Sequence, residues 1–171
     1  YSVSALTTVT QALFLSVMGY HKPSQWGQQL PVDQVSWHDA AAFCHRLSEL
    51  CGLESPYASP PDQPETLTEL DLSKGGFRLP TEAEWVYAAQ ADHPTRFAGS
   101  QRADGVAWTS KSSGGKMQAV RRLKPNAWGL YDMSGNVREL CLDRAEGSGF
   151  FIEREGLHTD HMTQDLSYDS F

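Results

Sequence analysis

Apolar residues recur at helical spacing in three separate stretches, and each stretch starts behind a residue able to cap a helix. Leu13, Phe14, Val17 and Met18 follow Thr10, and Gly19 comes directly after them. That pattern predicts a short helix with a threonine cap and a glycine stop. Ala40, Phe43, Cys44, Leu47, Leu50 and Cys51 form a second stripe behind Ser36. Asp39 stands three residues after the serine, a relative of the capping box, so a helix is predicted to about Cys51. The third start is Thr81, where Glu84 closes a capping box and Glu82 complements the helix dipole. Trp85, Ala88 and Ala89 are expected to face inward. Glu82 and Glu84 are two apart, so on a helix they point in different directions and read as solvated groups rather than a catalytic pair.

Strand signals are shorter. Tyr1 to Leu6 alternates, Val106 to Thr109 reads as a short strand, and Phe150-Phe151-Ile152 reads as an edge strand before an irregular acidic tail. Residues 20 to 31 and 90 to 125 are polar and loop-like. Residues 52 to 76 are the least regular, and Ser55 to Pro64 is read as a surface insertion. Five tryptophans (Trp26, Trp37, Trp85, Trp108, Trp128) are expected to pin the loops. Two to three short helices, small antiparallel sheets and many loops place the chain in the α+β class. Its 171 residues suffice for one domain, residues 1–171, with a real core.

Composition narrows the function classes. The net charge of −7 leaves no basic face for nucleic acid, and Arg121-Arg122-Leu123-Lys124 is too short to supply one. No apolar run reaches the roughly 18 residues of a membrane span. No signal peptide is present, and a chain opening at Tyr1 leaves targeting and compartment open. The three cysteines, Cys44, Cys51 and Cys141, fit neither a disulfide framework nor a zinc site, though one bridge plus one thiol stays open. Cys44 and Cys51 share a helix face about 10 Å apart and cannot bridge. Ser112-Ser113-Gly114-Gly115-Lys116 lacks the spacing of a phosphate loop and reads as a flexible loop.

The densest chemistry lies in Gly129-Leu130-Tyr131-Asp132-Met133-Ser134-Gly135-Asn136-Val137-Arg138-Glu139-Leu140. Two readings stand. Closely spaced oxygen donors and glycine-turned carbonyls suit a hard cation such as calcium. Alternatively the stretch is a tight turn between core strands, with Asp132 and Asn136 bonding their own backbone.

GLYDMSGNV, preceded by Pro125-Asn126-Ala127-Trp128, resembles the signature of the formylglycine-generating enzyme (sulfatase-modifying factor) family. Pro31-Val32-Asp33-Gln34-Val35-Ser36-Trp37-His38-Asp39-Ala40, running on to Phe43-Cys44, is similar to a second family stretch. Phe77-Arg78-Leu79-Pro80-Thr81-Glu82-Ala83-Glu84-Trp85-Val86-Tyr87-Ala88-Ala89 is similar to a third, in the right order. The resemblance covers about residues 5 to 143, leaving 144–171 as a divergent tail. It implies a loop-rich fold related to C-type lectins. It also implies a structural calcium held by the Asp132 side chain, the Gly135 and Val137 carbonyls, and Glu139. Arg138 and Leu140 stand where the family usually carries tryptophans.

Active family members oxidise a sulfatase cysteine with copper and a cysteine pair that follows an Arg-Gly-Gly-Ser-Trp motif. That motif is absent here, so no catalytic residue carries over and copper is not expected. Cys44 with Cys141 is the one pair whose positions permit a meeting. Iron-dependent relatives need three histidines. His158 and His161 have the best local spacing, and they read as a surface pair.

The expected function is a non-catalytic binding or scaffolding module, part of a larger protein, with a protein or peptide partner and a bracing calcium. One alternative is an oxygen-dependent oxidoreductase whose catalytic cysteines lie outside this chain. Another is a C-type-lectin-type variable ligand-binding protein. Oligomeric state is not legible.

Overall fold

The computed structural model describes residues 6–57, 70–144 and 151–154. Helix α1 is Gln11–Met18, α2 Trp37–Leu50, α3 Glu82–Gln90 and α4 the single turn Ser110–Ser113; strands β1 Glu139–Arg144 and β2 Phe151–Arg154 follow. Few helices and little sheet make this an α+β fold. The strands pair antiparallel, with Glu139 opposite Arg154, Leu140 opposite Glu153, and a register shift before Arg144 meets Phe151. The edge strand expected around residue 151 is therefore present. The alternating run expected over residues 1 to 6 lies almost wholly outside the described residues.

Each predicted helix starts where its cap stands. Thr10 accepts from the Leu13 N–H, and Gly19 ends α1 in the left-handed region at φ 76°. Ser36 with Asp39 and Thr81 with Glu84 form complete capping boxes. The inward stripe of α2 keeps Phe43 and Cys44 of the expected set, with Leu47 packed against the core, and departs from it at the ends. Trp37, Ala41, Cys44 and Ser48 are buried, whereas Leu50 is 70% exposed and Cys51 is exposed. Ser48 is a buried tie on that face. Its hydroxyl donates to the Cys44 carbonyl at 2.8 Å and accepts from Phe77 N–H at 2.8 Å. Leu13 is also exposed, not inward, on α1.

Two apolar clusters make the core. The larger joins α1 to α2, with Phe14 stacked on Phe43 at 5.4 Å beside Trp37 and Tyr57. The smaller joins α3 to β1 through Trp85, Ala89, Ala98 and Cys141. Two of the five tryptophans are buried anchors, and each binds β1. Trp37 Nε1 donates to the Cys141 carbonyl at 2.9 Å, and Trp85 Nε1 to Glu139 Oε2 at 2.8 Å. Trp26 and Trp128 are exposed instead.

The stretch read as a surface insertion is anchored at its start. Pro56 and Tyr57 are buried, and the Leu79 N–H donates to the Tyr57 hydroxyl at 3.2 Å. Residues 58–69 lie outside the described residues. The strand expected over 106–109 reduces to one parallel bridge between Trp108 and Gly135. Thr109 and Ser112 cap each other reciprocally and start α4 at once, which overrides strand propensity.

Glu82 is not free in solvent: it pairs with Arg154 of β2, while its N–H donates to Asp143 Oδ2 at 2.6 Å. Glu84 takes a two-pronged hydrogen bond from Arg78 at 2.7 and 2.6 Å. That guanidinium, helped by the Thr81 N–H, holds its carboxyl at about 2, against the usual 4.5. A carboxyl held this low contributes stability that is complete above 4.5 and is lost as pH falls from 4.5 toward 2. Glu84→Gln should therefore flatten the fall in urea midpoint over that window, while costing about 2 kcal/mol at neutral pH. Equal acid sensitivity of both proteins would refute the assignment.

Candidate metal centre

The segment from Asn126 to Glu139 folds into consecutive turns that enter β1. Four residues adopt left-handed backbone: Gly129, Asp132, Gly135 and Asn136, with φ of 77, 60, 78 and 71°. Gly135 is required for a second reason. A Cβ there would sit 2.0 Å from the Trp108 carbonyl oxygen. That approach lets the Asn136 N–H donate to the same oxygen at 3.1 Å.

The turn itself is present, but the Asp132 and Asn136 side chains bond other segments rather than their own backbone, which corrects that part of the turn reading. Asn136 clamps residue 118 from both sides: Gln118 N–H donates to its Oδ1 at 2.9 Å, and its Nδ2 donates to the Gln118 carbonyl at 3.0 Å. Ser134 Oγ accepts from the Ala98 N–H at 3.0 Å. Nor is the stretch flanked by two core strands among the described residues. Only β1 follows it.

The four expected ligand residues occupy this turn and the head of β1. Asp132 is buried, and its Oδ2 accepts from the Thr7 hydroxyl and from Arg121 N–H at 2.8 Å. Glu139 is half-buried as a residue, but its carboxylate is enclosed. Oε1 accepts from Thr8 Oγ1 at 2.7 Å and Oε2 from Trp85 Nε1 at 2.8 Å. Burial pushes the Glu139 carboxyl above its ordinary range, against the two hydrogen bonds, and the negative charge of Asp132 pushes it further. The two acids therefore sense each other in a poorly solvated place. The Gly135 carbonyl accepts from Val137 N–H at 3.1 Å.

The two carboxylates and two turn carbonyls are all oxygen donors, the kind that suits calcium. Like charges that repel in a desolvated pocket are what a divalent cation neutralises. The donor chemistry of these residues is thus compatible with such an ion. Among the described residues no group of three or more His, Cys, Asp or Glu converges, so imidazole- or thiolate-rich metal chemistry has no described cluster. His158 and His161 lie outside the described residues.

Cys44 and Cys141 sit in different core clusters, and all three cysteines are free thiols. Burial pushes Cys44 and Cys141 up to about 12, so both are protonated at neutral pH. Burial thus disfavours the thiolate that a soft metal binds. A shallow depression of about 200 Å³ lies between Asp104, Trp108, Ser112 and Leu123, and none of the four expected ligands lines it.

Thr7, Thr8 and Trp85 hold the two acids, and the sequence reading assigned none of them to this site. Thr7 and Thr8 lie 125 and 131 positions from their partners, so no local spacing could have pointed to them. Asn126 was quoted only as part of a motif. Its Nδ2 donates to the Ala88 and Ala89 carbonyls at 2.8 and 3.2 Å, closing the end of α3.

Comparison with known proteins agrees with this architecture. Residues 8–159 match the sulfatase-modifying factor enzyme 1-like domain, which carries the similarity beyond Asp143. The chain is 33% identical over 164 residues to "Chaperone protein LppX" of Paenibacillus barcinonensis, covering 78% of this chain and 59% of that protein. It is 29% identical over 128 residues to a formylglycine-generating enzyme of Streptomyces coelicolor, covering 66% of this chain and 32% of the enzyme. The chain thus spans less than two thirds of either relative. Among solved structures, Treponema denticola variable protein 1 superposes with a TM-score of 0.70 at 35% identity, covering 82% of this chain and 62% of that one. CarF superposes at 0.68 with 26% identity, covering 85% and 70%. With its capped helices, its turn-rich entry to β1 and this match over most of its length, the chain is a member of the sulfatase-modifying factor enzyme 1-like domain family.

Proposed function

We propose that this domain is a non-catalytic binding or scaffolding module of the formylglycine-generating-enzyme type, C-type-lectin-like in architecture and braced by calcium. The observation that carries the calcium reading is the buried pair Asp132 and Glu139, two acids held by donors yet facing each other's charge. Asp132, Glu139 and the carbonyls of Gly135 and Val137 are the proposed ligands. The ion would neutralise the pair and lock the turns that lead into β1. The binding reading draws support from two relatives. One is named a chaperone protein and one a variable protein, and both exceed the identity of the enzyme relative. We propose a protein or peptide as the partner.

Calcium should raise the melting temperature and EDTA should lower it. A ligand at a hundred times its Kd stabilises by about 2.7 kcal/mol. Asp132→Ala should abolish the calcium response. No shift with calcium would leave residues 129 to 140 as turns without an ion. Incubation with copper, oxygen and a sulfatase-type cysteine peptide should yield no aldehyde. Aldehyde formation would replace the binding reading with the oxidase one.

A further inference from the structure

We infer that Thr7 and Thr8 are positioning residues for the cation, so that docking of the segment that carries them and cation binding strengthen each other. The inference rests on the calcium reading above. Two adjacent hydroxyls reach two different acids: Thr7 Oγ1 donates to Asp132 Oδ2, and Thr8 Oγ1 donates to Glu139 Oε1 at 2.7 Å. The segment is tied on both sides of these contacts. Tyr131 N–H donates to the Leu6 carbonyl at 2.8 Å, and Val32 N–H to the Val9 carbonyl at 2.8 Å.

Each acid also takes a second donor. Arg121 N–H shares Asp132 Oδ2, and Trp85 Nε1 takes Glu139 Oε2. Each carboxylate is therefore held by a threonine and a second donor, on one oxygen of Asp132 and on both oxygens of Glu139. No hydrogen bond among the described residues goes to Asp132 Oδ1, and that oxygen is the one left for an ion. A carboxylate oxygen retains a lone pair after accepting one hydrogen bond, so grip and coordination coexist. Outer contacts of this kind typically change metal affinity by about ten- to hundred-fold. Coupling between two equilibria is reciprocal, so the ion must suppress undocking of the segment by the same factor.

The test uses the whole chain and calcium itself. Valine keeps the shape of threonine and removes only the hydroxyl. The T7V/T8V double variant should bind calcium about ten- to hundred-fold more weakly in calorimetric titration. Thr95→Val, whose hydroxyl bonds the Phe97 carbonyl, should bind as the unaltered protein does. In the unaltered protein, saturating calcium should slow hydrogen exchange at the Tyr131 amide by a similar factor, which requires no variant to fold. Calcium affinity of T7V/T8V within twofold of the original overturns the inference, and so does Tyr131 exchange indifferent to calcium. Failure of the unaltered protein to bind calcium defeats the calcium reading itself and this inference with it. That result differs from calcium binding that ignores the threonines.

Discussion

Gly135→Ala is expected to cost more than about 3 kcal/mol and to leave little folded protein at 37 °C. Two penalties coincide. The backbone sits at φ 78°, and the added methyl would lie 2.0 Å from the Trp108 carbonyl oxygen, with that residue's C and N at 2.9 and 3.1 Å. Every crowding atom belongs to backbone, so no side chain can swing away. Relief requires residues 108 and 135 to part. That breaks the bridge between them and the bond from Asn136 N–H to the Trp108 carbonyl. Gly129→Ala supplies the internal comparison. Its φ is 77°, but nothing lies within 4 Å of the added methyl. It should cost only the left-handed conformational penalty, about 1–2 kcal/mol. Urea unfolding of the two variants separates strain from collision. Equal losses would mean that the close approach at Trp108 does not hold in solution.

The second large effect is expected at Asn126, which is 5% exposed and whose side chain makes four hydrogen bonds. Its amide nitrogen binds two carbonyls at the end of α3. Its oxygen accepts from Trp128 and Leu130 N–H groups, both at 3.0 Å. Asn126→Ala leaves two carbonyls and two N–H groups to find new partners, at least partly out of water. Each buried loss costs about 1–3 kcal/mol, not additively, so about 3–4 kcal/mol in all is expected. Asn126→Asp should be at least as damaging. It keeps the acceptor, loses both donated bonds, and puts a negative charge against the carbonyl end of a helix. Denaturant midpoints for the two variants check this. An aspartate variant as stable as the original would show that the contact to α3 is dispensable.

The Asn126 network explains why part of the site was legible and part was not. Helix starts are local events. Thr10, Ser36 with Asp39, and Thr81 with Glu84 each satisfy N–H groups within three residues of themselves, so their positions in the chain sufficed. The glycine-rich turns into β1 were legible for the same reason, since left-handed backbone is a property of single residues. Whether α2 would bury Leu50 or Ser48 was not local. The Ser48 hydroxyl is satisfied by Phe77, 29 positions away, which lets a polar residue sit on the buried face. The 106–109 stretch failed as a strand because a one-turn cap at Thr109 outcompeted a partner strand that never arrives.

Residue order alone determined the α+β class, the three capped helices, the edge strand near residue 151 and the oxygen-rich turn, because capping, turn and periodicity signals act over a few residues. Only the tertiary structure decided which donors surround Asp132 and Glu139. It sent their hydroxyl donors from the far end of the chain, used Asn126 and Asn136 as clamps on other segments, and put Cys44 and Cys141 in separate clusters. Hydrogen-bond demand in a buried place is met by whatever the packing brings near. Spacing along the chain carries no record of that meeting.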